Sequence, residues 1–433
     1  MSQSRYVHHA GHFALLLLGG CGDPPPTWYG DVQPITEARC ANCHQEGGIG
    51  PFPLVTYGDV VARRTSVRLA VESGSMPPWP ARPGDVPFAH DPSLTPEQIA
   101  TIVDWVAADA PMGDPEEAGE PLADVFSSLT RSDLRLAMPE PFRPSVMPDE
   151  YRCFILDWPE TTSAFVTGFN VTPGNPRIVH HVAAYLIPPD TLMGEEVFDT
   201  LRRWDTADDT PGYSCFGGPS GPQDLQIPVQ QLAQWVPGNA GTDFPAGTGI
   251  EVKPGSQVVL QVHYHAETGN LEADATALEL KLDPYVERRA AFAPFLDVTW
   301  PLGGMDIPAG EVVTHAVAGD PRGIFGIVIG DQLDLDAGFD IHSVLLHQHT
   351  LGTNSSLDLL GADGQRRRLL DIPEYDFDWQ ITYAFQSPVR FLEGDQLHLS
   401  CTFANQGQGA VDVSWGEGTG EEMCVANLYI SEI

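Results

Sequence analysis

From about residue 132 to the C-terminus the chain repeats one pattern. Short runs rich in β-branched and aromatic residues ("YRCFILDW", "SAFVTGFNV", "IVHHVAAYLI", "QVVLQVHYHA", "ALELKL") alternate with clusters of Gly, Pro and Asp. A second set follows from about residue 286: "AAFAPFLDVTW", "EVVTHAVAG", "FDIHSVLLHQHTLG", "SSLDLLGADG", "DFDWQITYAFQ", "DQLHLSCTFAN" and "MCVANLYI". Runs of this length, punctuated by turn formers, predict antiparallel β structure. Length and pattern together predict two all-β antiparallel sandwich domains, over 132–284 and 285–433.

The segment before them is different. In "LTPEQIATIVDWVAADAP" Thr95 can cap a helix whose apolar positions Ile99, Ile102, Val103 and Val106 recur at helical spacing, with Pro111 as its stop. A small all-α domain is therefore expected over 28–112, tied to the β region by the acidic linker 113–131.

That segment also carries "ARCANCHQEGGIGP". In C-x-x-C-H two thiols form thioether bonds to a porphyrin and the adjacent histidine takes one axial face of the iron. Cys40, Cys43 and His44 are thus expected to hold one covalently attached haem c. Met76, in the proline-stiffened "SGSMPPWPA", is the expected sixth ligand and His90 the fallback. The segment resembles a class I cytochrome c domain, including "GIGPF" soon after the haem histidine.

Residues 1–21 place a weakly basic start before a short apolar run, Phe13 to Leu18, too short to span a bilayer. This is expected to be an export signal. Its ending, Leu18-Gly19-Gly20-Cys21, resembles the lipobox of bacterial lipoproteins, with Cys21 the lipidation site. The expected location is the periplasm or cell surface of a bacterium, with the membrane reached only through the lipid. Export implies an oxidising compartment, where disulfides persist. With Cys21, Cys40 and Cys43 so assigned, four of the seven cysteines remain: Cys153, Cys215, Cys401 and Cys424. They allow three pairings, among which sequence order does not choose.

Charge narrows the partners. With 22 basic against 59 acidic residues the formal net charge is −37, which repels phosphate backbones and anionic lipid surfaces. Nucleic-acid binding is excluded on this ground.

Three histidine clusters lie in strand-like runs: His180-His181, His263-Tyr264-His265 and His347-Gln348-His349. Residues i and i+2 of a strand share a face, so His347 with His349, and His263 with His265, can present two imidazoles to one ion. Adjacent His180 and His181 face opposite sides, and need a bulge, a strand end or different ring nitrogens to share one. Imidazole suits copper, zinc and iron, and a thioether selects Cu(I). Met423, beside Cys424 in "GEGTGEEMCVANLYI", offers such a thioether.

Taken in order, "VHHVAAYL", "LQVHYH", "LHQHTLG" and "EEMCVANLY" resemble the copper type II ascorbate-dependent monooxygenases, the family of peptidylglycine α-hydroxylating and dopamine β-monooxygenases. The resemblance covers roughly residues 132–433 and implies jelly-roll-like copper domains with two copper ions. His180, His181 and His263 would bind the electron-transfer copper, and His347, His349 and Met423 the copper where oxygen reacts. It also implies the disulfides Cys153–Cys215 and Cys401–Cys424. His265 stands where the animal enzymes usually carry glycine, and is read as lying behind the metal ligands or at the surface. His315, His342 and His398 are read as structural.

The function expected from these features is hydroxylation of an activated C–H bond of an organic substrate with O₂. Electrons would come through the fused haem to the His180/His181/His263 copper, from an ascorbate-like reductant or a respiratory carrier. The alternatives are a non-catalytic haem/copper electron-transfer or redox-sensing lipoprotein, and an oxidase or copper-handling protein that reduces O₂ without hydroxylating anything.

Overall fold

The computed structural model describes residues 24–433 except 47, 49, 124, 191–194, 216–217, 222–229, 238, 266–271, 378, 417 and 419; of residues 195 and 331 it describes the backbone alone. The signal segment and Cys21 lie outside the described residues. Among these residues no helix is long and apolar enough to cross a membrane.

The N-terminal part is helical. After a short turn of π-helix, Trp28–Val32, come the α-helices Gln33–Arg39, Tyr57–Ser73 and Pro96–Ala107. The sequence marks their ends. Thr56 with Asp59, and Thr95 with Gln98, form reciprocal capping boxes that satisfy the first free N–H groups. Gly74 closes the second helix at φ 73°, a left-handed conformation that a residue with a Cβ adopts at a cost. Trp28, Val32, Ile35, Leu54, Val60, Val67, Val71, Ile102 and Trp105 pack between the helices. As the periodicity predicts, Ile102 is buried, with Ile99 and Val106 packed partly against the same core.

The rest of the described chain is mostly β. A five-stranded antiparallel sheet runs in the order Tyr213–Ser214, Asp149–Asp157, Gln257–His265, Val179–Ile187, Gln230–Trp235. A four-stranded antiparallel sheet is formed by Val312–Gly319, Gln396–Ala404, Gly352–Leu360 and Arg366–Ile372. Between them lies a sheet common to both halves. Its first strands, Leu134–Ala137, Ala277–Asp283, Ala164–Thr172 and Thr248–Val252, belong to the first half. It continues through Arg288–Phe295, Val425–Ser431, Phe339–His347 and Tyr383–Phe391. The join is a short parallel link, Arg288 and Arg289 opposite Thr248 and Gly249.

Alternation explains why one sheet can serve two cores. On Arg288–Phe295, Ala291, Ala293 and Phe295 face the C-terminal core while Ala290 and Phe292 face the other. On Val425–Ser431, Ala426, Leu428 and Ile430 take the first side and Tyr429 the second.

Two disulfides lock the β halves, Cys153–Cys215 and Cys401–Cys424. These are the pairings implied by the family resemblance, and they fit an oxidising compartment.

The stretch 79–91, which follows the second helix, leaves the helical core. Ala81, Val86 and Phe88 are buried in the C-terminal β core. Its backbone pairs with the edge strand Tyr383–Phe391, through Ala89 N–H to the Ala384 carbonyl at 2.8 Å and Gln386 N–H to the Pro87 carbonyl at 3.0 Å. Arg82 N–H also donates to the Asp371 carbonyl at 2.9 Å, and Arg368 N–H to the Asp85 carboxylate at 2.7 Å.

Candidate metal centres

His180 and His181 begin the strand Val179–Ile187, and the pairing with Gln257–His265 slips by one residue between Val179 and His181. This irregularity is one of the devices that lets adjacent side chains point the same way. His263 comes from the neighbouring strand, directly opposite His181. The three Nδ1 atoms form a triangle with sides of 3.1, 3.2 and 3.3 Å. The centre of such a triangle lies about 1.9 Å from each corner, close to the ~2.0 Å of an imidazole–metal bond. This is the group of three ligating side chains among the described residues whose donor atoms converge on one point.

The tautomer of His263 follows from its partners. Asp149 Oδ1 lies 2.8 Å from His263 Nε2, so that nitrogen carries the proton and donates, leaving the Nδ1 lone pair for the centre of the triangle. Tyr151 stacks on the ring at 4.1 Å. Burial first, and then the neighbouring His180 and His265, hold His263 down at about 3, so it is neutral at ordinary pH. His181 is lowered by burial and by His263, His180 and His347 in turn.

His265 follows the face expected for i+2, yet its side chain is 42% exposed and its Nδ1 donates to the same Asp149 oxygen at 2.8 Å. It sits behind the triangle's ligand set, on a shared carboxylate.

The second cluster is built at a strand end. Phe339–His347 stops at His347, so His349 stands in the following loop and the strand rule does not govern its direction. The two rings nevertheless lie 5.0 Å apart, because other contacts shape the loop. Glu422, fully buried, accepts from the N–H of His349 at 2.8 Å and of Leu351, and Tyr375 Oη bridges both backbone groups of Gln348 at 2.9 Å. Burial raises Glu422 to about 7 against the lowering pull of those N–H donors.

Each ring is fixed through its Nδ1, and His349 is also held by the backbone of Gly418. His347 Nδ1 donates to Gln380 Oε1, whose amide is oriented by Nε2 donating to the Phe377 carbonyl at 3.0 Å. His349 Nδ1 donates to the Glu421 carbonyl at 3.0 Å. Burial lowers both histidines, His347 to about 4. Met423 is buried next to Glu422 and to Cys424, whose disulfide anchors it to Gln396–Ala404. Val425, two residues after Met423, pairs with His347, which brings the methionine to the same end of the sheet as the two imidazoles; imidazole and thioether are ligand types that suit Cu(I).

In the helical part, Cys40 and Cys43 are free thiols one turn apart and half-buried. Burial, reinforced by Cys43, pushes Cys40 up to about 12. His44 Nδ1 donates to the Phe52 carbonyl at 3.0 Å, which orients the ring and puts the proton on that nitrogen. A Cβ at Gly50 would fall 2.5 Å from the His44 ring, so the backbone passes too close there for any larger residue. Met76 is 37% exposed, and His90 Nδ1 donates to the Val125 carbonyl at 2.9 Å.

The remaining histidines among the described residues have structural partners: His342 Nε2 meets Ser431 Oγ at 2.9 Å, His315 Nε2 the Asp306 carbonyl at 3.0 Å, and His398 lies 3.6 Å from the buried Asp358. Reading the sequence did not find Asp149, Gln380 or the role of Glu422. Only Glu422 left a visible signal, as part of "EEMC".

The β region thus brings imidazoles together in each half, three Nδ1 atoms in the first and two neighbouring rings in the second. In comparison with known families, residues 329–431 match the C-terminal domain of the copper type II ascorbate-dependent monooxygenases. That stretch holds His347, His349, Met423, Cys401 and Cys424. No curated protein matches the chain. Among solved structures, an infectious bursal disease virus VP2 subviral particle aligns over 71% of this chain and 74% of its own, at 9% identity and TM-score 0.17. A single-substitution variant of the oxalate decarboxylase of B. subtilis aligns over 66% of this chain and 81% of its own, at 7% identity and TM-score 0.10. Scores this low carry no argument.

Proposed function

We propose that this chain is an exported copper-dependent monooxygenase that hydroxylates an activated C–H bond of an organic substrate, with electrons supplied through a fused c-type haem. The observation that carries the reading is the triangle of three converging Nδ1 atoms in one half; in the other, two histidine rings lie 5.0 Å apart and Met423 is buried two residues before Val425, the strand partner of His347. The match of residues 329–431 to a copper monooxygenase domain supports it.

His180, His181 and His263 would hold one copper and His347, His349 and Met423 the other. The jelly-roll-like copper domains would be 132–284 and 285–433. Copper at these positions supplies the one-electron chemistry that oxygen activation needs. The overall change consumes one O₂, two electrons and two protons, and yields the alcohol and water. The chain's own part is to keep the ligand imidazoles neutral by burial and to fix which nitrogen each presents, through Asp149, Gln380 and the Glu421 carbonyl.

Cys40, Cys43 and His44 would attach the haem in a cytochrome c-like domain over 28–112, with Met76 as second axial ligand and 113–131 as linker. The donor would be an ascorbate-like reductant or a respiratory carrier. The signal over 1–21 and lipidation at Cys21 would place the protein on a bacterial periplasmic or outer surface.

The test is a metal and haem count on protein exported with its haem machinery intact. We expect two coppers and one haem per chain, with one copper lost in a His347→Ala, His349→Ala, Met423→Ala variant. Zinc in place of copper, or no metal, sinks the reading.

A further inference from the structure

Where the helical unit touches the rest of the chain decides which copper site its haem would face. Its stretch 79–91 is seated on residues 368–386 of the C-terminal half, by the backbone pairs and buried side chains described above. At its start Trp79 meets Tyr383 with ring centroids 4.8 Å apart, and Phe88 lies 5.4 Å from the same tyrosine. Phe88 also stacks on Phe385 at 5.9 Å. These rings form one aromatic junction between the two parts.

Both candidate axial ligands border this stretch. Met76 lies three residues before Trp79, which limits their separation to about 10 Å even for fully extended chain. His90 follows Ala89, whose N–H is bonded to Ala384. The conclusion therefore does not depend on which of them takes the iron. On the other side of the junction, Tyr383 is paired with Val344, three residues before His347 on the same strand and again within about 10 Å of it. Gln380, three residues before Tyr383, is the partner of His347 Nδ1.

The approach to the first β half is different. There residues 127–130 meet 240–243, through Ser127 Oγ to the Gly241 carbonyl at 3.0 Å and Thr130 N–H to Asp243 at 3.1 Å. Neither segment carries a donor of either cluster.

We infer that the Trp79–Tyr383 junction holds the haem unit against the His347/His349/Met423 half, so that an electron from the haem enters the copper pair on that side and not at His180, His181 and His263. This rests on the haem and copper assignments of the proposed function, and it reverses the entry point expected from the sequence. The step moves one electron, ferrous haem becoming ferric as Cu(II) becomes Cu(I), with no bond made or broken. An external one-electron donor of the ascorbate or respiratory-carrier class restores the ferrous haem. Trp79 and Tyr383 are positioning residues in this scheme.

The experiment uses the exported, haem- and copper-loaded protein without oxygen. A flash-excited flavin reduces the haem, and its reoxidation is followed in the haem α band. We expect a fast phase that persists in a His180→Ala, His181→Ala variant and disappears in a His347→Ala, His349→Ala variant whose haem spectrum is unchanged. Trp79→Leu should slow the phase at least tenfold with haem and both coppers retained. The opposite pattern in the two copper variants overturns the inference, as does an unchanged rate in Trp79→Leu. A parent protein without covalent haem or without copper, seen by analysis before any kinetics, overturns the functional reading and this inference with it.

Discussion

A tautomer decides whether His263 can serve a metal at all. With the proton on Nε2, held by Asp149 at 2.8 Å, the Nδ1 lone pair joins those of His180 and His181. Without the carboxylate the ring can turn or carry its proton on the wrong nitrogen. Asp149→Ala should therefore weaken copper at this site about ten- to hundredfold, in the range seen for partners that orient metal-bound histidines. Competition of copper-loaded protein with a chelator checks it, with the copper proposed at His347 and His349 as internal reference, and equal release from parent and variant would refute the role. At this scale the sequence was informative about side and silent about depth. The i, i+2 rule put His263 and His265 on one face, but 2% exposure for one and a 42% exposed side chain for the other arise from what packs above each. Asp149 was illegible because its relevance depends on register: it lies opposite His265 only once the strands Asp149–Asp157 and Gln257–His265 are paired.

Strands were legible where burial alternates, and less so where they end. The run "FDIHSVLLHQHTLG" announces a strand, yet the strand stops at His347, and it is Glu422 and Tyr375 that bring His349 round. Such long-range hydrogen bonds leave no local pattern. The same strand has a register slip between Ile341 and Ser343, and His342 sits in it, buried against Ser431 Oγ. Burial, aided by Arg288 and opposed by Asp340, lowers His342 to about 4. In the fold it is neutral from neutrality down to about pH 4, whereas the unfolded chain takes up a proton below about 6.5. Stability from this group is thus complete above about pH 6.5 and lost as the pH falls toward 4. At pH 4.5 the loss is about 2–3 kcal/mol, from ~1.36 kcal/mol per pH unit. His342→Gln, which keeps a hydrogen-bonding group but cannot charge, should reduce the difference between urea stabilities at pH 7 and 4.5 by that amount. An undiminished difference would assign the acid sensitivity elsewhere.

At the scale of the molecule, the sequence suggested consecutive units joined by linkers, and the structure interlocks them. The shared sheet crosses the expected 284/285 boundary because Arg288–Phe295 and Val425–Ser431 offer one face to each core. The stretch 79–91 crosses the other way, from the helical unit into the C-terminal core, and a pattern read by neighbouring residues cannot show that. Its few apolar positions, Ala81, Val86 and Phe88, look like loop residues among prolines. This makes the acidic linker a poor place to cut. A fragment of residues 113–433 would expose the faces of Tyr383 and Phe385 and leave the outer backbone groups of Ala384 and Gln386 unpaired at a sheet edge. Losing the burial of Val86 and Phe88 alone removes roughly 3–6 kcal/mol, at about 1.5–3 kcal/mol per side chain. A fragment of residues 77–433, which keeps the stretch while discarding the first two helices, should recover most of that. Urea unfolding of the two fragments, followed by tryptophan fluorescence at equal ionic strength because the chain carries a formal charge of −37, separates the possibilities. A lower midpoint for 113–433 shows that residues 79–91 are part of the C-terminal fold, and equal midpoints would make them a tether laid on its surface.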